Sequence, residues 1–241
     1  MTSAAVFSNY LETSAPVRAA FRYAPTLASK PLSTPVVFVL DKDAVVRKSL
    51  ELLVRREGWR CETFSSAQEF LASDSSRVPN CLVLDASFHG SDSLELQKRV
   101  AAECPSTPII LIAGHIDVPA TVKAMKAGAI EIFTKPLCEE VLVDSIREAL
   151  ERSRALLVYD AGMRSLRDRY SVLSRREREV MALVVAGLLN KQVGGELGIS
   201  EITVKAHRGS VMRKMKAASF AELVNMAARL RVTRSLATSA A

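Results

Sequence analysis

Three residues in the first half of the chain and a little beyond have the right types for phosphoryl chemistry. Asp41 and Asp85 each follow a short apolar run, and Lys135 follows another, immediately before Pro136. A carboxylate can accept a phosphoryl group when a metal ion and an ammonium screen the incoming charge. Spacing alone serves equally well for ordinary polar residues on loops. A second set lies near the C-terminus. Ile202, Lys205, Ala206, Gly209, Arg213 and Lys216 fall on one side of a helical wheel, opposite Val204, Val211 and Met215. The cations suit phosphates or guanine edges, and Ile202 or Ala206 suits a thymine methyl. Small residues at 206 and 209 let a helix backbone approach a groove. The plain alternative is a core helix with a solvated basic face.

The elements that must position the second set are punctuated clearly. Ser174 and Glu177 form a capping-box signature ahead of an apolar-periodic run to Ala186, which Gly187 closes. A second helix starts at Asn190 and stops at Gly198, with Val193 and Leu197 inward. Ser200 then caps a third helix to about Lys216. Two helices joined by the turn Gly198, Ile199, Ser200 make a helix-turn-helix. That scaffold, with the small-residue outer face, favours the DNA-reading interpretation.

The first set needs a sheet. Apolar runs at 36–40, 59–63, 81–84, 108–112 and 130–133 alternate with helical patterns at 44–56, 66–72, 92–102, 117–127 and 139–150. Such alternation predicts a doubly wound α/β domain, a five-stranded parallel sheet covered on both faces. Functional groups in such sheets gather at the carboxyl ends of the strands. There the sequence places Asp41, Asp85, Ala113 and Lys135, after the first, third, fourth and fifth runs.

Composition divides the chain the same way. Its 241 residues allow two domains. Residues 171–241 hold 12 Lys/Arg against 5 Asp/Glu, whereas residues 36–150 hold 13 against 17. A basic small domain beside an acidic one suits a nucleic-acid reader joined to something else. Cys61, Cys81, Cys104 and Cys138 show no metal-ligand spacing and read as reduced thiols of a cytoplasmic protein. No apolar run reaches 18 residues, so no membrane partner is expected. No nucleophile–base pair or Gly-rich phosphate loop speaks for an enzyme. The expected layout is a disordered or weakly ordered extension over 1–35, an α/β domain over 36–150 and a helical linker over 151–170. A small all-α four-helix domain over 171–232 and a flexible tail over 233–241 complete it.

Two resemblances sharpen this reading. The motifs RERE, GLLNK and ISEITVKAHR resemble the LuxR-type four-helix DNA-binding domain over roughly residues 171–230. The resemblance implies that the helix beginning near Glu201 enters the major groove. Lys205, Ala206 and Gly209 then hold base-reading positions, although Gly209 offers no side chain. Thr203 and nearby residues hold phosphates, and the implied DNA-binding set also includes Asn190, Lys191, Ile202, Arg208, Arg213 and Lys216. A fourth helix at 219–230 would be a dimer contact. VLDKDAVVRKSL, CLVLDASF and HIDVPATVKAMKAGAIEIFTKPL resemble a response-regulator receiver, and the whole chain resembles the FixJ-type branch. By that resemblance Asp85 is the phospho-acceptor position, Asp41 the first pocket acid and Lys135 the pocket lysine.

The departures from the receiver pattern carry the most information. Lys42 stands where the family has its second acid, a direct Mg2+ ligand. Ala113 replaces the hydroxyl residue, Ile132 the rotating aromatic, and Phe88-His89 the usual Met-Pro pair. Lys42 adds positive charge and removes an oxygen ligand, which weakens Mg2+ binding. Its ammonium is expected to pair with Asp85 or Asp41 and lower their pKa. Asp43, turned inward, is the replacement ligand in the opposite reading.

The sequence thus points to a sequence-specific DNA-binding transcription regulator, dimeric, whose atypical receiver does not use Mg2+-dependent aspartyl phosphorylation. Its partners are double-stranded DNA, a second copy and RNA polymerase. The alternatives are a conventional two-component regulator phosphorylated on Asp85 by a histidine kinase, and an interaction module that sequesters a partner. By the resemblance, the dimer face includes Val118, Val122 and Ile130 with Lys126 and Glu131. Residues 139–170 contain no proline and can form one helix. A heptad seam of Leu142, Ala149, Leu156, Met163 and Tyr170 is faced by the poor partners Ile146, Ser153, Asp160 and Arg167.

Overall fold

The computed structural model describes residues 34–73, 78–87, 91–115 and 117–232. The expectations for Phe88-His89, for the extension before residue 34 and for the tail after residue 232 lie outside the described residues. Five parallel strands, β1 (Val36–Leu40), β2 (Arg60–Phe64), β3 (Asn80–Asp85), β4 (Ile109–Ala113) and β5 (Ala129–Thr134), pair in the order β2-β1-β3-β4-β5. The helices between them are α1 (Ala44–Arg56), α2 (Ala67–Leu71), α3 (Ser91–Glu103) and α4 (Val118–Lys126). Strand bounds fall within one residue or so of the apolar runs, because those runs are what the two helical layers cover.

Alternation along β1 assigns the layers. Val36, Phe38 and Leu40 pack with Phe64, Phe70, Leu96, Val100 and Ala124, hence under α2, α3 and α4. Val37 and Val39 pack with Leu50, Leu53 and Val54 of α1 and with Leu142, Ile146 and Ala149 of α5 (Glu139–Ser171). Fully burying one such aliphatic side chain contributes roughly 1.5–3 kcal/mol. Chain order reverses at β1, between β2 and β3, so the rim above β1 and β3 is where this topology collects functional groups.

Helix α5 is the one continuous helix expected over 139–170. It runs unbroken for 33 residues. Leu142 and Ala149 belong to the sheet core, while Met163 and Leu166 belong to a separate core with Met181, Val211, Met215 and Leu223. The supposed heptad seam is therefore two packing surfaces in series, and residues 163–170 are part of the C-terminal domain rather than a spacer. Ser153 anchors the receiver-side half: its hydroxyl donates to the Ser106 carbonyl at 2.5 Å and accepts from the Asn80 amide at 3.0 Å.

The C-terminal domain adds α6 (Arg175–Val185), α7 (Asn190–Leu197), α8 (Glu201–Met215) and α9 (Phe220–Leu230). The capping box at Ser174 and Glu177 is present in both directions. Gly198 ends α7 in the left-handed region at φ 65, a conformation a Cβ disfavours. A Cβ on Gly194 would meet the Ile199 carbonyl oxygen at 2.7 Å, so glycine there lets the turn into α8 fold back tightly. Val193 and Val204 meet in the core beneath that turn.

Candidate functional site

The rim at the carboxyl ends of β1, β3, β4 and β5 brings Asp41, Asp85, Ala113 and Lys135 together. Asp41 and Asp85 are buried. Lys135 Nζ donates to Asp85 Oδ1 at 3.3 Å and lies 3.7 Å from Asp41 Oδ2. The backbone amide of Lys135 donates to the Ala113 carbonyl at 2.8 Å, fixing the lysine to the neighbouring strand. The Lys135-Pro136 peptide is cis. Asp41 Oδ1 accepts from the Asp43 amide at 2.8 Å, whereas Oδ2 is buried without a hydrogen bond.

Two expectations about this pocket need correction. Lys135 places its ammonium at ion-pair distance from both carboxylates, and Lys42 is exposed on the β1–α1 loop. The Asp41 carboxyl is raised rather than lowered. Burial is the main cause, and the Asp85 charge adds to it against the Asp43 amide and Lys135. Asp43 does not turn inward: it is exposed, and its Oδ1 accepts from the Val45 amide at 2.8 Å as the N-cap of α1. Arg47 Nη1 fixes the same loop by donating to the carbonyls of Asp41 (2.7 Å) and Lys42 (2.8 Å).

Ile132, at the switch position, packs half-buried against the core under α2, α3 and α4. Ile130 on β5 is half-buried and packs against the core under α1 and α5. The sequence reading passed over Ser87, whose hydroxyl donates to Asp85 Oδ2. Its signal was a hydroxyl two residues beyond the acceptor position. Cys81 is fully buried with its thiol pushed up by desolvation, and burial pushes Cys61 up to about 12, so neither is a thiolate at neutral pH.

In the C-terminal domain Val204, Val211 and Met215 fix the inward side of α8. The opposite side carries exposed Ile202, Lys205, Ala206, Gly209, Arg213 and Lys216, as the wheel requires. Lys205 Nζ lies 3.1 Å from Glu201, an exposed pair one turn apart. A Cβ on Gly209 would meet nothing within 4 Å. Thr203 is exposed and shares a 2.8 Å hydrogen bond with the capping Ser200 hydroxyl, and Lys191 is exposed on α7.

Asn190 and Arg208, both in the expected DNA-binding set, are joined to each other. Arg208 Nη1 donates to Asn190 Oδ1 at 2.6 Å, and its guanidinium sits 5.2 Å from the centre of the Phe220 ring. Both residues are half-buried, and together they tie α8 to α7 and α9. A second joint runs through Glu177. It accepts from the Ser174 amide (2.7 Å), the Ser210 hydroxyl (2.6 Å) and Lys214 Nζ (2.7 Å). Burial would raise this carboxyl, but those bonds bring it down to about 2. The capping box announced the first bond, and nothing local announced the other two. The arrangement is a rigid frame that presents a basic, small-residue helix face outward.

Comparisons with known proteins agree with both halves. Residues 171–227 match the family described as bacterial regulatory proteins, luxR family, and residues 37–147 match the response regulator receiver domain. Nodulation protein W of Bradyrhizobium diazoefficiens is 42% identical over 198 residues, covering 82% of this chain and 87% of that protein. Response regulator protein TodT of Pseudomonas putida is 42% identical, with coverage of 81% and 86%. Transcriptional regulatory protein FixJ of Bradyrhizobium diazoefficiens is 37% identical, with coverage of 80% and 94%. The solved structure of response regulator StyR is similar at a TM-score of 0.73 and 41% identity, over 82% of this chain and 100% of that one.

Proposed function

The chain belongs to the response regulators that join a receiver domain to a LuxR-type DNA-binding domain, and from that premise we propose a specific use of the two halves. It is a dimeric, sequence-specific transcription regulator whose receiver does not switch by Mg2+-dependent phosphorylation of Asp85. Double-stranded DNA is its ligand, RNA polymerase its further partner and the cytoplasm its compartment. Among the described residues no helix is long and apolar enough to cross a membrane.

One observation carries the receiver part: the pocket's oxygen set falls short of what Mg2+ takes. Mg2+ demands near-octahedral oxygen ligands at short distance. Lys42 occupies the second-acid position, Asp43 is committed to capping α1, and Asp85 Oδ2 already accepts from Ser87. Among the described carboxylate oxygens of the pocket, Asp41 Oδ2 is the buried one without a hydrogen bond, and Lys135 stands 3.7 Å from it. Ala113 has no hydroxyl to follow a phosphoryl group, and Ile132 has no ring to swing. The homodimer is supported by α4, where Val118, Val122 and Met125 recur at helical spacing and are exposed, Val118 by 77%. The exposed outer face of α8 favours a DNA reader over a module that sequesters a protein.

The conventional reading has its own support. Asp85 is buried against Lys135 at 3.3 Å, and the relatives are named as response regulators. A histidine kinase would then be the partner. Intact-mass measurement after incubation with acetyl phosphate and Mg2+ separates the two. We expect no adduct on the wild-type chain and an adduct on Asp85 in Lys42→Asp. Sedimentation with and without beryllofluoride and Mg2+ should show the same dimer. A stoichiometric phospho-Asp85 in the unaltered protein would sink the proposal and restore the conventional switch.

A further inference from the structure

We infer that Ile202 is a specificity-determining residue that reads the 5-methyl group of a thymine in the major groove, an inference that rests on the DNA-binding reading above. Ile202 is 79% exposed, more than any other large hydrophobic side chain among the described residues. It belongs to none of the domain's apolar cores. It also lies opposite Val204, Val211 and Met215, which face inward. Ala206 and Gly209 follow it one and two turns on, along the same line of the helix surface, and both are exposed.

In a helix-turn-helix the N-terminal residues of the second helix reach the base edges. The middle of that surface in α8 is a strip of Ile, Ala and Gly with neither donor nor acceptor. Over these first turns hydrogen-bonding capacity sits to the sides, in Lys205 on one flank and in Thr203, whose hydroxyl already engages the Ser200 cap, while Arg213 continues the line a turn beyond Gly209. The position at Gly209 is open space. Across the four base pairs the major groove displays one apolar group, the C5 methyl of thymine. An apolar strip centred on the groove-facing side is complementary to that group and to no other base-edge feature. Ile202 is also suited by its branching, since a β-branched side chain is stiff at χ1 and loses little freedom on docking. Burying one methyl group changes affinity by about fourfold.

The test uses the full chain and needs no known promoter. A duplex is first selected from a randomised pool. Each thymine of the selected site is then replaced singly by deoxyuridine, which lacks only the methyl, and affinities are measured for wild type and Ile202→Ala. One thymine should lose about fourfold with the wild type. Ile202→Ala should bind the thymine and deoxyuridine duplexes alike at that position. Its circular dichroism should match wild type, because Ile202 packs against no core. A silent deoxyuridine scan with wild type overturns the inference while leaving sequence-specific binding intact. A deoxyuridine penalty that persists in Ile202→Ala but vanishes in Ala206→Gly overturns it in favour of Ala206. Recovery of no preferred sequence from the pool refutes the DNA-reading premise and the inference with it.

Discussion

Replacing Glu177 by Gln should loosen the recognition helix from its scaffold in a way that depends on pH. The carboxylate is buried and holds the Ser174 amide, the Ser210 hydroxyl and the Lys214 ammonium, joining α6 to α8. Its folded pKa is about 2 against an ordinary 4.5. Because the folded value is the lower one, the stabilisation is present above pH 4.5 and is lost as pH falls toward 2. At 1.36 kcal/mol per pKa unit the full displacement corresponds to roughly 3 kcal/mol. Lys214 is partly exposed, and solvent screening reduces the effect to about 1–2 kcal/mol. Glu177→Gln keeps the shape but removes the charge, so it should cost about 1–2 kcal/mol at pH 7, with more than half of that penalty gone by about pH 3. The assay is urea-dependent hydrogen exchange, read by mass spectrometry on peptides from α6 and α8 so that receiver unfolding is kept apart. A penalty equal at pH 3 and pH 7, or below about 0.5 kcal/mol at pH 7, would refute the argument.

Three further outcomes are expected. Lys205→Ala should weaken binding to a selected duplex by roughly 1–3 kcal/mol and flatten its salt dependence, as titration by fluorescence anisotropy across KCl concentrations would show; equal binding by mutant and parent at every salt concentration removes Lys205 from the interface. Arg208→Ala should lower DNA affinity while leaving the salt slope unchanged, since its guanidinium is engaged with Asn190 and Phe220. A slope reduced by about one would instead make Arg208 a phosphate contact. Ser153→Ala should destabilise the receiver by about 1–3 kcal/mol in denaturant unfolding followed by the fluorescence of Trp59, because it strands the buried Asn80 amide and Ser106 carbonyl.

Local rules were enough for much of this molecule. Apolar runs of four or five residues can be covered from both sides only as parallel strands between helices, so the sheet and its rim residues Asp41, Asp85 and Lys135 follow from spacing. Ser174, Gly198 and Ser200 mark helix ends because caps satisfy backbone groups within three or four residues. The outward set on α8 follows from helical period once the inward apolar residues are known. The identity of Lys42, Ala113 and Ile132 is likewise a matter of sequence.

Tertiary structure alone decided which groups meet. Lys135 reaches Asp85 across 50 residues, and Lys214 reaches Glu177 across 37. No periodicity encodes such distances, because each depends on how two separate elements pack. For the same reason Arg208 meets Asn190 and Phe220, and Asp43 capped its own helix instead of entering the pocket. The second half of the supposed linker joined the C-terminal core because Met163 and Leu166 find apolar partners on α6, α8 and α9. Pattern fixes which side of an element is apolar; only packing fixes what that side, and each charge beside it, will touch.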